Sequence, residues 1–235
     1  MPALDRDAYV ADFADFIRDS PSSYHAAAAV AARLEADGFR VKAAGRRDGD
    51  LARAAGAREL VDTAVAELGR LDVVVHAAAE GFAPQPVEEV TEEGWDAALG
   101  ATAKGAFFVA QAAAPHLRAA GDGVIVLVED VASYEPWPLF APHSAAKAAE
   151  AMLTRVLARA LAPEVRVCGV APGTVTRDGD DGWEERRAAE TLLGRVGSPE
   201  DVAEAVAYLV HARYVTGTTL VVDGGRLLQR DRSSK

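Results

Sequence analysis

Apolar residues fall along this chain in short runs separated by longer amphipathic stretches. The runs FRVKAAG (39–45), LDVVVHAA (71–78), GVIVLVE (123–129), VRVCGVA (165–171) and TTLVVDG (218–224) have the length and β-branched content of buried strands. Between them, 57–68, 91–120, 142–161 and 199–212 carry apolar positions at helical spacing. Strands alternating with helices predict an α/β fold: a Rossmann-like, doubly wound parallel sheet covered on both faces. The last helix has a marked start, with Ser198 as N-cap, Pro199 at the first position, and Glu200 and Asp201 in the first turn.

The first forty residues depart from that pattern. Tyr9, Val10, Phe13, Phe16 and Ile17 are spaced as on a helix, and AVAARLEADGFRV (29–41) reads as a second helix running into a strand. Between them lies SPSSYHAA (20–27), without one glycine. A dinucleotide crevice opens with a strand and a Gly-rich turn, so that backbone N–H groups can approach pyrophosphate. Here a helix-turn-helix is expected in their place, and the side chains of Tyr24 and His25 would occupy space that phosphate requires. From Gly45 to Asp50 only Arg46, Arg47, Asp48 and Gly49 intervene, too few for a helix.

Length and charge narrow the function classes. At 235 residues, with no composition shift or linker, the chain predicts one domain, its residues 1–38 an atypical helical segment. A net charge of -11 argues against nucleic acid and anionic membrane surfaces, which need clustered Lys and Arg. Cys168 is the single cysteine, so a reducing compartment is expected. No basic leader and no apolar run near twenty residues is found, so the expected location is cytoplasmic.

The stretch GVIVLVEDVASYEPWPLFAPHSAAK (123–147), with DTAVAELGRLDVVV (62–75), GWDAALGATAKGAFFVAQAAAPHL (94–117), VRVCGVAPG (165–173), GRVGSPEDVAEAVAYL (194–209) and YVTGTTLVVDGG (214–225), resembles the short-chain dehydrogenase/reductase superfamily over residues 39–225. The resemblance implies a serine closing the strand and a Tyr-x-x-x-Lys opening the helix. Here Asp130 holds the serine position, His143 the tyrosine position, and Lys147 is retained. The family's asparagine aligns with Thr102. His76-Ala77-Ala78-Ala79 replaces Asn-Asn-Ala-Gly, and Asp50 matches an adenine-contacting aspartate. Pro172-Gly173 persist, with Arg177 at the threonine position and Thr176 beside it. Taken together these substitutions imply that NAD(P) binding is lost, and no cofactor is expected. Separately, DFIRDSPSSYHAAAAVAARLEADGFR (15–40) is similar to the opening helices of M18 aspartyl aminopeptidases, but no peptidase domain follows.

What chemistry remains rests on three residues. His143 and Lys147, at i and i+4, share one helix face, and Asp130 ends a parallel strand at its carboxyl edge, where such sheets bind ligands. A carboxylate and an ammonium acting oppositely on one imidazole suit a general acid or base. The expectation is that Asp130 orients His143, His143 moves the proton, and Lys147 stabilises a developing enolate or carboxylate. That describes a cofactor-independent dehydratase, isomerase or cyclase acting on a small apolar carbonyl compound. Tyr134, Trp137, Phe140 and Trp183 are candidates to line its pocket, and His76 is an added polar group. Alternatives stay open: Lys147 as a packed remnant, Asp130 bonded to amides of the next turn, the aromatic residues as loop packing. At the level of the whole chain, they are a silent subunit beside an active relative and an NAD(P)H-dependent oxidoreductase. Asp178-Gly-Asp-Asp181 lacks the spacing of a calcium loop, so no metal is expected. The family resemblance implies a homo-oligomer, dimer or tetramer, or a hetero-oligomer with a relative.

Overall fold

The computed structural model describes residues 22–45, 47–79, 83–176 and 183–229. Four of the five apolar runs are strands: β1 (Val73–His76), β2 (Gly123–Val128), β3 (Val165–Pro172) and β4 (Thr219–Val222). They form one parallel sheet in the order β1-β2-β3-β4. Side chains of β2 alternate between the faces, so Ile125 and Leu127 enter one apolar cluster while Val124 and Val126 enter the other. The helices are α1 (Ser22–Ala36), α2 (Ala54–Leu68), α3 (Glu92–Leu99), α4 (Gly105–Ala120), α5 (Ala141–Leu161), α6 (Trp183–Ala188) and α7 (Pro199–His211). On one face Val61, Val109, Leu117 and Leu157 of α2, α4 and α5 pack on the sheet. On the other, Val30 and Leu34 of α1 join Val202, Val206 and Leu209 of α7. Enclosing a leucine such as Leu117, which is wholly buried, contributes on the order of 2–3 kcal/mol.

Two expected elements differ. The run 39–45 is not a strand. Its Arg40 guanidinium donates to the carbonyls of Glu67 and Leu68, both at 3.2 Å, and Lys42 Nζ lies 3.0 Å from Glu67 Oε1. The segment is thus tied to the end of α2, while Phe39 and Val41 lean on the α1–α7 cluster. The helix expected over 91–120 is divided into α3 and α4 by a π-turn, Gly100–Lys104. A Cβ at Gly100 would sit 3.1 Å from Ala52 Cβ and one at Gly105 3.2 Å from Leu51 Cβ, so the helix passes close to the 51–52 loop. Such wide turns recur at functional sites, and this one buries Thr102.

The start of α7 is as expected. Ser198 Oγ accepts from Asp201 N at 3.3 Å, and Asp201 Oδ2 accepts from Ser198 N at 2.7 Å. At its other end Arg166, from β3, donates to the carbonyls of Leu209 (2.8 Å) and Val210 (2.7 Å), meeting the helix's orphan acceptors with positive charge. The helix expected at Tyr9–Ile17 and the Ser20-Pro21 turn lie outside the described residues, as do the side chains of Tyr24 and His25. Among the described residues, no helix is long and apolar enough to cross a membrane.

Candidate active site

The carboxyl end of β2 delivers Glu129 and Asp130 side by side, and the chain then makes two short 3-10 turns before entering α5. Asp130 caps the first turn, its Oδ1 accepting from Ala132 N at 2.8 Å. Its other oxygen, Oδ2, lies 3.5 Å from His143 Nε2. Asp130 thus bonds to an amide of the next turn and faces His143 at the same time, because a carboxylate has two oxygens to use. At 3.5 Å the pair is an ion-pair distance rather than a tight hydrogen bond. His143 is 4% exposed. Trp137 stacks on its ring, centroids 6.2 Å apart and planes 15° from parallel. The Arg226 guanidinium lies 5.6 Å from the Trp137 ring centre and its Nη1 donates to Thr174 Oγ1 at 2.7 Å, so the segment after β4 holds this roof down.

The other expected site residues are arranged differently. Lys147 Nζ donates to Val128 O at 2.7 Å and to Glu150 Oε2 at 2.8 Å, in a site only 4% exposed. His76 is turned inward as well, its Nδ1 3.0 Å from Glu150 Oε1. Phe140 precedes α5, 6% exposed, edge-on to Trp137 with centroids 6.0 Å apart. Trp183 is enclosed at 1% exposure, whereas Tyr134 is open to solvent and its hydroxyl lies 3.5 Å from Glu129 Oε2. Beside the start of α5, Val87, Val90, Thr91, Glu92, Trp95 and Ala141 line an open groove. Arg177 and Asp178–Asp181 lie outside the described residues. Among the described residues, no three His, Cys, Asp or Glu side chains are grouped to hold a metal ion.

Two carboxylates were not foreseen. Glu150 is wholly buried on the inner face of α5. Burial works against its charge, but the Lys147 ammonium and the bond from His76 outweigh it and hold its carboxyl below the usual range. With Glu150 ionised, His76 Nδ1 must carry the proton. Glu129 accepts from Thr154 Oγ1 at 2.6 Å and Thr219 Oγ1 at 3.1 Å. Burial first, and then the nearby Glu150 charge, push the Glu129 carboxyl up despite those bonds and Lys147. The available signal was placement: Lys147, Glu150 and Thr154 repeat at i, i+3 and i+7, continuing the face of His143 among Ala146, Leu157, Ala158 and Leu161.

Comparison with known proteins brings the frame together. The family model described as enoyl-(acyl carrier protein) reductase matches residues 20–226. A Streptomyces violaceoruber protein, named as a ketoacyl reductase of the granaticin polyketide synthase, is 38% identical over 222 residues. That match covers 83% of this chain and 89% of the relative. Human dehydrogenase/reductase SDR family member 4 is 37% identical over 175 residues, 71% of this chain and 63% of the relative, so less than two thirds of that protein is spanned. Among solved structures, an apo SCOR enzyme from Clostridium thermocellum superposes with a TM-score of 0.73 at 26% identity, covering 80% of this chain and 75% of that one. These likenesses overturn the expectation of a cofactor-independent dehydratase, isomerase or cyclase, since the relatives are named as reductases and dehydrogenases. The substituted motif side chains leave the strand end of β2 and the start of α5 in place. The chain belongs to the short-chain dehydrogenase/reductase superfamily.

Proposed function

We propose that this chain is an oxidoreductase interconverting a ketone and a secondary alcohol, with a nicotinamide nucleotide as the hydride carrier its family implies. A keto group on an acyl chain is the substrate class, by likeness to the ketoacyl reductase relative. The observation that carries the reading is the His143 imidazole standing over Asp130 at the carboxyl edge of β2, where the family keeps its proton donor. In this reading the motif positions are substituted rather than vacated: His143 for tyrosine, Asp130 for serine, His76 for asparagine, Thr102 in the π-turn.

The chain's own share of the chemistry is proton transfer at His143 Nε2. Taking a proton from an alcohol forms an imidazolium 3.5 Å from a carboxylate, which stabilises it. In reduction the proton must reach the carbonyl oxygen as its charge develops, because Asp130 would repel a bare alkoxide. Oxidation is therefore the direction the pair favours. Trp137 excludes water above the ring, which strengthens both effects.

The described residues do not suit the nucleotide at Lys147. The ammonium that would meet a ribose is bonded inward to Val128 O and Glu150. Nor does the described sheet reverse its strand order, the feature that opens a crevice in doubly wound folds.

Assembly as a dimer or tetramer belongs to the same proposal. Met152 and Val156 on α5 and Phe107 on α4 are exposed apolar groups on the helices that build family oligomers. The likeness of residues 15–40 to aminopeptidase helices adds no activity to it.

The test is turnover of ketoacyl thioesters and secondary alcohols with each nicotinamide nucleotide, followed by absorbance of the reduced nicotinamide. No turnover in either direction, with no heat of nucleotide binding by calorimetry, sinks the reading.

A further inference from the structure

His76, Lys147 and Glu150 come from two elements, the end of β1 and the inner face of α5, and all three are at least 96% buried. Glu150 faces Lys147 at 2.8 Å with one oxygen and His76 at 3.0 Å with the other. Two of the three ammonium N–H groups are thereby bonded inside the protein, one to a carboxylate and one to Val128 O. Gly105 packs beside the His76 ring, where a Cβ would sit 3.4 Å from Nε2, an atom that meets no hydrogen-bond partner among the described residues.

We infer that Glu150, backed by His76, withholds the Lys147 ammonium from any ligand bound at the carboxyl edge of the sheet. A sugar hydroxyl is neutral, and a charge-assisted bond to a carboxylate is roughly twice as strong as a neutral one. Pulling Lys147 outward would also leave Glu150 as an uncompensated charge in a dry site, which proteins do not tolerate cheaply. So a nucleotide sugar does not recruit Lys147 in the native chain, and Glu150 is a positioning residue that acts through the lysine. Where a nucleotide lies is taken from the proposed oxidoreductase reading; the confinement of Lys147 stands on the geometry alone.

The experiment reads the lysine directly. The intact protein is labelled with acetic anhydride and the extent of modification at each lysine is followed by peptide mass analysis, with and without NADPH or NADH. In the native chain Lys147 is modified at least tenfold more slowly than the half-exposed Lys42, and neither nucleotide changes that rate. In Glu150→Gln, folding checked by circular dichroism, the protection falls at least fivefold. If that variant binds NADPH by calorimetry, it binds at least fivefold tighter than the native chain. Fast labelling of Lys147 in the native chain overturns the inference, as does further protection of Lys147 by nucleotide. Unchanged protection in folded Glu150→Gln overturns it too. Should the variant not fold, the native-chain labelling still decides between these outcomes. Absence of nucleotide binding in every form counts against the oxidoreductase reading only, because the labelling is measured without ligand.

Discussion

Glu129 fills the space that a side chain at Gly169 would occupy. The two residues lie on the neighbouring strands' run toward the site, and a Cβ built at 169 would overlap Glu129 Oε1 and sit 2.8 Å from Thr219 Oγ1. The glycine therefore makes room for the buried carboxyl and for Thr219, one of the two threonines that donate to it.

Gly169→Ala is expected to destabilise the fold by about 2–3 kcal/mol, as overpacking of a rigid core does. In a Glu129→Ala background the same change should cost less, because the nearer of the two obstructing side chains is gone and only Thr219 Oγ1 has to yield. Urea unfolding of the four proteins measures the coupling. Equal costs in both backgrounds would show that the strand itself, not Glu129, demands glycine.

Glu129 also sets a direction of pH dependence. Its folded carboxyl is pushed up, chiefly by burial, so the stability it contributes is complete below the unfolded value near 4.5. That stability is lost as pH rises through the folded value. Glu129→Gln keeps an acceptor for Thr154 and Thr219 and removes the titration. The variant should gain on the native chain in chemical unfolding as pH rises from about 4.5 through the folded carboxyl's raised value, with Lys147, Glu150 and Tyr134 unchanged around it. A gap between the two that narrows with rising pH would refute the sign.

His143→Gln should lower kcat/KM at least 100-fold, the usual scale for loss of a proton-transfer group, while the melting temperature stays within a few degrees. Asp130→Asn should be milder, about tenfold, and should harm alcohol oxidation more than ketone reduction, because the carboxylate stabilises the imidazolium formed on oxidation. Steady-state rates in both directions decide this. Full activity in His143→Gln removes it from the chemistry.

The start of α7 titrates in the opposite sense to Glu129. The bond from Arg195, above all, holds the Asp201 carboxyl at about 2. Its stabilisation is present above the ordinary aspartate value near 3.8 and is lost as pH falls through about 2. Asp201→Asn should cost about 1 kcal/mol at pH 7, the scale of an N-terminal cap, with the deficit shrinking between pH 4 and pH 3. Thermal melts across that range are the check.

Much of this architecture was legible in the residues alone. Four apolar runs are strands, because a β-branched run between helices has only a sheet in which to bury both faces. Ser198, Pro199 and Asp201 announce a helix start by local chemistry, and local chemistry is what the structure uses there. Asp130 and His143 could be paired in advance because a strand end and the start of the helix that follows it are neighbours at a sheet's carboxyl edge. Tertiary structure decided what local pattern could not. Residues 39–45 have a strand's composition, yet Arg40 and Lys42 find better partners at the end of α2. The helix over 91–120 widens where a loop about fifty residues earlier packs against its glycines. Lys147 turns inward because Glu150 and His76, the latter 74 residues distant from Glu150 in the chain, meet in a dry site. A charge buried among apolar neighbours must be neutralised by whatever the fold brings near it, and only the folded chain determines which groups those are.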